Sequence, residues 1–425
     1  MKSTLEPIVF WYTKYTDIKS LDGNKKTDVV IVGGGMAGIS AAHAFAKRGR
    51  HVILLEKSFC GGGASGKSSG FITPNCELSL AHFVHTCGAA KARAIWEFIL
   101  RGGHLIKQNI AQHAVACDYI ENNALLIANS SRAFKDIAQE ADALHALGFQ
   151  STLIQPDSIR SHVASDGYYG GLVYPNSFGI KAYEYCQQMK QVLRNQGVEI
   201  YEETPVTRIN AHEAVTPHGT VTAKQIVVCA DRFIPQFTPL KDPIFQVQSF
   251  LALSRVLDEK TVRALFPNNS YMVWDSDLVY TYYRMTIDNR FMIGGGAMWA
   301  SYTTHAYYEY LPIVKKFNAY LKKKFPTVTI DLEYIWPGLI GVSKDMAPIA
   351  GVDKNCPSIY YIGACAGLPI AATLGEYSAE HLLEGRTDMD DVFSPYRPFF
   401  IGSTLQHIIG KRAAFSLSNL RSLYQ

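Results

Sequence analysis

Gly33, Gly35 and Gly38 stand in GxGxxG spacing, and an acid, Glu56, follows after a helix-length, alanine-rich stretch and a second apolar run. Each glycine has a distinct task in a nucleotide fold: Gly33 for a tight turn out of a strand, Gly35 for close backbone approach to a pyrophosphate, and Gly38 for tight helix–strand packing. A helix beginning at Met36 and Ala37 aims the positive end of its dipole at the phosphates. The Glu56 carboxylate can accept hydrogen bonds from both hydroxyls of an adenosine ribose, and it repels a 2′-phosphate. The chemistry these residues define is the binding of an adenine dinucleotide other than NADP, with Lys57 beside the acid.

This unit alone leaves FAD and NAD open. A second Gly/Ser loop, Cys60–Gly70 (CGGGASGKSSG), follows at once and favours FAD. Backbone N–H groups in such a loop can bind anions, which makes Ala64, Ser65, Gly66 and Lys67 candidates to run beside the pyrophosphate and the ring system. Lys67 reads either as a cation facing reduced flavin or as a solvated loop lysine.

The elements that must carry these residues are legible as alternating strands and helices. Asp28–Lys57 reads as strand, glycine turn, helix, strand, and apolar residues recur at helical spacing from Leu80 to about Leu147. A helix Tyr183–Gln196 leads to a strand Val198–Tyr201, and residues 221–230 read as a buried strand. A hairpin is expected from alternating Val279–Met285, a turn at Asp288-Asn289, and Phe291–Ile293 running into Gly294-Gly295-Gly296. Lys315–Lys324 reads as a helix, and residues 358–385 as strand, loop and helix, with Pro369 in the first turn and Gly385 at the end. The expected fold class is α/β plus α+β: a Rossmann-like dinucleotide domain interleaved with a substrate domain built on a mainly antiparallel sheet. The expected division gives residues 27–80, 150–235 and 333–400 to the first and 81–149 and 236–332 to the second. Residues 1–26 form a leader on the outside.

Composition narrows the class further. Of 425 residues, 48% are hydrophobic and 18% charged, which excludes a mainly disordered chain. A formal net charge of +4 is too small to argue for nucleic acid. No apolar run approaches the roughly 20 residues of a membrane-spanning helix. The cysteines Cys60, Cys76, Cys87, Cys117, Cys186, Cys229, Cys356 and Cys365 are scattered without a CxxC pair. They suit reduced thiols and a cytoplasmic protein rather than a disulfide framework or a metal site. Beyond Asp391 there is no acid, while Arg397, Lys411, Arg412 and Arg421 all fall there. Residues 401–425 read as a basic amphipathic helix with Leu405, Ile409, Ala413, Leu417, Leu420 and Tyr424 near one face. Such a helix packs on its own domain or docks on an anionic membrane surface.

The two glycine motifs together resemble the D-amino-acid oxidase superfamily of flavoproteins, the group holding glycine, sarcosine and γ-glutamylputrescine oxidases. Further matches follow in order over about residues 27–400. Glu203–Val206 resembles the strand whose backbone meets adenine. VVCADRF (Val227–Phe233) resembles a family strand end, with Ala230 at the cofactor and Asp231 where glycine is common. TYYRMTIDNRFMIGGG (Thr281–Gly296) resembles the family hairpin. WPGLIGVSKDMAPIAG and YIGACAGLPIAATLGE resemble the two C-terminal flavin segments, which brings in Gly338, Gly363, Ala364, Cys365, Ala366, Gly367 and Leu368.

The resemblance implies non-covalent FAD and oxidation of a CH–NH bond, with electrons passing to O2 or another acceptor. Cys365 reads as a packed thiol, since relatives that attach flavin through cysteine use a different segment. In amino-acid-oxidising relatives an arginine at the position of Ile340 pairs with the substrate carboxylate. Ile340 lacks that fork, as does the γ-glutamylputrescine oxidase branch, so the expected substrate is a small-molecule amine. Arg284 shares a strand face with Tyr280 and Tyr282 by alternation. If that face lines the pocket, Arg284 supplies another carboxylate anchor; if it faces outward, Arg284 is structural. Trp336 and the tyrosines are candidate walls for an apolar pocket, which favours the neutral amine that hydride transfer needs. No histidine is assigned a catalytic role. The competing reading is a flavoprotein whose ring is not catalytic, raised by Asp231 and by Gly367-Leu368-Pro369 where relatives carry G-H-G.

Overall fold

In a computed structural model, the chain is described at residues 5–12, 17–74, 77–238, 240, 243–277, 280–295, 309–399, 401–410, 413–414 and 417. The first sheet grows from the apolar strand Lys25–Val32, which runs parallel to Val52–Leu55 on one side and Gly219–Val228 on the other. Glu199–Tyr201 and Ile359–Gly363 extend it in parallel, and Ile349–Val352 closes one edge antiparallel. This is a Rossmann-like sheet. Its helices Met36–Lys47 and Leu368–Glu384 pack on each other: a Cβ on Gly375 would press into Ser40 and the Ala37 carbonyl, and Ser40 Oγ donates to the Ala372 carbonyl at 2.6 Å. Their locked pairing directs two helix N-termini toward one cavity.

The second sheet has eight strands and is antiparallel except where Met272–Asp275 runs beside Ala124–Ile127. Its longest pair is Ile244–Val256 with Leu332–Ser343. The hairpin expected from alternation is present as Tyr282–Met285 paired with Arg290–Gly295. Asn289, at φ 58°, takes the left-handed position of the turn. Val279 and Gly296 of that expectation lie outside the described residues.

Several elements differ from the sequence reading. The helical stretch 80–147 is three helices, Leu80–Cys87, Ala89–His113 and Ser131–Ala146, interrupted by the strand Ala124–Ile127. That strand is a four-residue apolar run, too short for periodicity to separate it from helix. Thr152–Ile154, Gly171–Tyr174 and Leu332–Ser343, expected with the nucleotide segments, hydrogen-bond into the second sheet because their antiparallel partners lie there. The leader is not simply an outer layer. Glu6 pairs with the edge of Leu332–Ser343 (its N–H to the Glu333 carbonyl, 2.7 Å), and Trp11 is only 3% exposed.

At the C-terminus the described helix is Ser403–Ile409. Gln406 turns inward while Leu405 and Ile408 face outward, so the inward face is not the one its apolar residues predict. Lys411, Arg412, Leu420, Arg421 and Tyr424 lie outside the described residues. Among the described residues there is no disulfide and no helix long and apolar enough to cross a membrane; Cys76 lies outside them.

Candidate active site

The nucleotide end is built where strand Lys25–Val32 stops. Gly33 has φ 111°, and a Cβ there would run into the Cys229 carbonyl oxygen on the neighbouring strand. A Cβ on Gly38 would meet the Gly33 carbonyl, so the helix lies against the turn only because both are glycine. The Met36 N–H, first of the orphan donors of that helix, donates to Ser65 Oγ at 2.9 Å. The second Gly/Ser loop is therefore tied to the helix start. Glu56 follows Val52–Leu55 and accepts from the Gly34 N–H at 2.7 Å and the Ser58 N–H at 2.9 Å. Burial pushes its carboxyl up against the lowering effect of those bonds.

From here a cavity of about 1680 Å³ runs between the two sheets. A single drug-sized ligand occupies a site of roughly 300–1,000 Å³, so this one has room for a dinucleotide and a substrate. Gly33, Gly35, Met36, Ala37, Glu56 and Lys57 line it at one end. Ala64, Ser65 and Lys67 come from the short helix Ala64–Lys67, and Val206 and Ala230 from loops after strands. Gly338, Gly363, Cys365, Ala366, Gly367 and Leu368 complete the expected set. Gly38, Gly66 and Ala364 stand one layer behind: a Cβ on Gly66 would strike the Gly61 carbonyl, and Ala364 is fully buried. Lys57, Lys67 and Arg232 bring positive charge to the wall. Burial, then the Arg232 charge, lowers the pKa of both lysines. Lys57 Nζ and Arg232 Cζ lie 3.4 Å and 3.9 Å from the centre of the Phe233 ring. Two helix N-termini, backbone N–H groups beside glycines, an acid at the end of the second strand and these cations fit an adenine dinucleotide such as FAD.

At the far end the wall is aromatic and aliphatic. Tyr280, Tyr282 and Leu251 line it, with Phe71 edge-on to Tyr282 at 5.9 Å, while Leu339 and Ile340 line the cavity three strands away, where Ile340 pairs with Val247. Burial pushes the Tyr282 phenol up to about 12, so it stays protonated. Arg284 does not reach the cavity. It is 2% exposed, and its guanidinium donates to the carbonyls of Ser69 (2.8 Å), Met285 (3.1 Å) and Ile180 (3.1 Å). It ties the hairpin to the Gly/Ser loop and to the chain after Phe178–Gly179, which rules it out as a carboxylate anchor. Trp336 is also withdrawn. It shares a strand face with Gly338 and Ile340, but the Ala64–Lys67 turn covers it, and its Nε1 donates to the Lys67 carbonyl at 3.0 Å. Cys365 lines the cavity as a packed thiol that burial pushes well up, which disfavours the thiolate.

Three features escaped the sequence reading. Asp231, at φ 46°, accepts from the Gly341 N–H (2.8 Å) and the Ala364 N–H (3.1 Å), joining the ends of three strands at the cavity. Its departure from glycine thus has a structural purpose. Lys190 and Glu202, nearly unexposed, form an ion pair at 3.0 Å, and Glu202 also receives the Cys60 N–H at 2.7 Å, fixing the start of the Gly/Ser loop. Glu77 lines the far end and accepts from the Tyr280 hydroxyl at 2.8 Å. No spacing rule pointed to these, since each partner is remote in sequence. His82 and His85 also line the cavity.

A Rossmann-like sheet with a dinucleotide cavity running into a second, antiparallel sheet defines a two-domain flavoprotein oxidoreductase. The chain belongs to the DAO family of FAD dependent oxidoreductases, whose profile matches residues 28–381. It is 29% identical over 408 residues to the gamma-glutamylputrescine oxidoreductase of Escherichia coli (strain K12), covering 92% of both chains. It is 27% identical over 368 residues to the probable oxidoreductase OrdL of Haemophilus influenzae, covering 84% of this chain and 83% of that one. Glycine oxidase from Geobacillus kaustophilus shares the fold with a TM-score of 0.74 at 17% identity, over 88% of this chain and 100% of that one. The L-proline dehydrogenase of P. horikoshii gives the same TM-score at 19% identity, over 88% and 98%. The protein is an FAD-dependent oxidoreductase.

Proposed function

We propose that the chain oxidises the CH–NH bond of a small-molecule amine that carries no carboxylate beside the reacting carbon. The observation that carries this is the cavity wall: Ile340 lines it where a carboxylate-binding relative needs a cation, and Arg284 is bound to backbone carbonyls outside the cavity. The gamma-glutamylputrescine oxidoreductase similarity supports an amine over an amino acid.

Glu56 would hold the ribose hydroxyls, with Val206 and Ala230 along the adenosine and Lys57 at its rim. The N–H groups at Met36 and along Ala64–Lys67 would face the pyrophosphate. The N-terminus of Leu368–Glu384, reached through Gly363–Gly367, would face the ring system together with Gly338 and the Lys67 ammonium. There positive partial charge favours the reduced, negatively charged form. Bound FAD supplies a two-electron acceptor for the hydride leaving the carbon next to nitrogen, and the imine so formed is hydrolysed by water. The electrons then pass to O2 or another acceptor. Aromatic and aliphatic walls penalise the ammonium of the reacting nitrogen and so favour the neutral amine. The scattered thiols suit a cytoplasmic setting. Steady-state assays on amines against glycine, sarcosine and D-amino acids test the reading, with carbonyl product as readout. Turnover of amines alone is expected; efficient turnover of the amino acids, with amines inert, contradicts it.

A further inference from the structure

We propose that Glu77, with the rings of Tyr280 and Tyr282, seats a second, cationic nitrogen of the substrate, so that the enzyme takes a diamine or a similarly dicationic amine. The inference rests on the amine reading above and specifies its substrate class.

Glu77 has φ 65°, a left-handed conformation uncommon for a side-chain-bearing residue. Its Oε1 accepts the Tyr280 hydroxyl at 2.8 Å, which holds the carboxylate against the ring edge at the cavity wall. Among the described residues Oε2 has no partner. The rings of Tyr280 and Tyr282 stand 5.8 Å apart at 54°, and Phe71 meets Tyr282 at 75°. Ring faces inclined to one another beside an anion make a good site for an alkylammonium, attracted both by the carboxylate and by the π faces. The same site repels a carboxylate, and Ile340, elsewhere on the cavity wall, supplies no cation to hold one.

The nitrogen held there is not the one oxidised. Hydride transfer requires a neutral amine, whereas a carboxylate stabilises the charged form. Seat and reaction centre therefore make opposite demands, which a substrate with two nitrogens meets. The cavity also takes cations from Arg132, Lys57, Lys67 and Arg232 and carboxylates from Asp136 and Asp277. Net charge along the wall is thus mixed, and selectivity comes from direct contact with Glu77.

The test uses the FAD-loaded enzyme. The ratio of kcat/KM for diaminobutane over butylamine is compared in wild type, Glu77→Gln and Tyr280→Leu, alongside inhibition by butyltrimethylammonium, a permanent cation. Glu77→Gln is expected to lower the ratio on the order of 10- to 100-fold, the worth of a charged hydrogen bond, and to weaken inhibition by the quaternary cation, which donates no hydrogen bond, by a smaller factor through lost charge attraction. Tyr280→Leu should act in the same direction by a smaller factor, with flavin content as the check that each variant folds. An unchanged ratio and unchanged inhibition in Glu77→Gln overturn the seat. If no amine of either kind reduces the flavin, the amine reading itself fails, and the quaternary probe, titrated by its effect on flavin absorbance, still reports on Glu77.

Discussion

Glu56 and Ile340 both line the cavity and bear on two different questions, one about the cofactor and one about the substrate. Glu56→Ala removes the acceptor proposed for the ribose hydroxyls and leaves the Gly34 and Ser58 N–H groups without their partner. FAD affinity, read by fluorescence titration of the apoprotein, should fall on the order of 10- to 100-fold. Ile340→Arg places a guanidinium on the cavity wall and should raise flavin reduction by sarcosine or glycine relative to amines; no change in that ratio would show that position 340 does not face the substrate. The glycines and Glu56 were legible because their meaning is local: a strand, a turn and a helix within one short unit. Arg284 and Trp336 were not. Their environments come from Ser69, Ile180 and the Lys67 carbonyl, brought in by chain crossings that alternation cannot foresee.

The leader and the Gly/Ser loop form one assembly. Trp11 packs edge-on to Trp336 at 5.2 Å, Trp336 holds the Lys67 carbonyl, and the Tyr12 hydroxyl donates to the Gly62 carbonyl at 3.0 Å. Trp11→Ala leaves a void behind that loop and should cost about 3–5 kcal/mol of stability, with weaker FAD binding as the loop loosens. Urea denaturation with and without FAD separates the two effects. Lys190→Met leaves Glu202 charged and buried without a cation, and should destabilise the chain by about 3–5 kcal/mol. Replacing both partners by apolar residues should recover much of that loss. The βαβ unit, the hairpin and the C-terminal strand–loop–helix could be read from glycine, proline and periodicity. The 13-residue strand Ile244–Val256 and its partner could not, because their pairing is long-range.

Across the whole molecule the two sheets share the chain in alternation, so the cavity between them exists only when both are folded. Stability and cofactor binding should therefore be coupled, with FAD raising the melting temperature as its concentration exceeds its Kd. One buried group gives this fold an acid limit. His43, 4% exposed on the helix Met36–Lys47, is held down to about 4 by burial and by the charges of Lys47 and His113. The unfolded histidine titrates near ~6.5 and so binds a proton that the folded one refuses. Stability is then full above that value and falls as pH drops toward about 4, by up to about 3 kcal/mol. His43→Phe should flatten this part of the urea midpoint against pH.

The central claim, an FAD enzyme that takes hydride from amines, is tested most directly by anaerobic mixing of the FAD-loaded protein with a panel of amines and amino acids. The visible flavin absorbance should bleach with amines and persist with glycine, sarcosine and D-amino acids. Bleaching by the amino acids alone, or by nothing in the panel, would contradict amine oxidation by this protein.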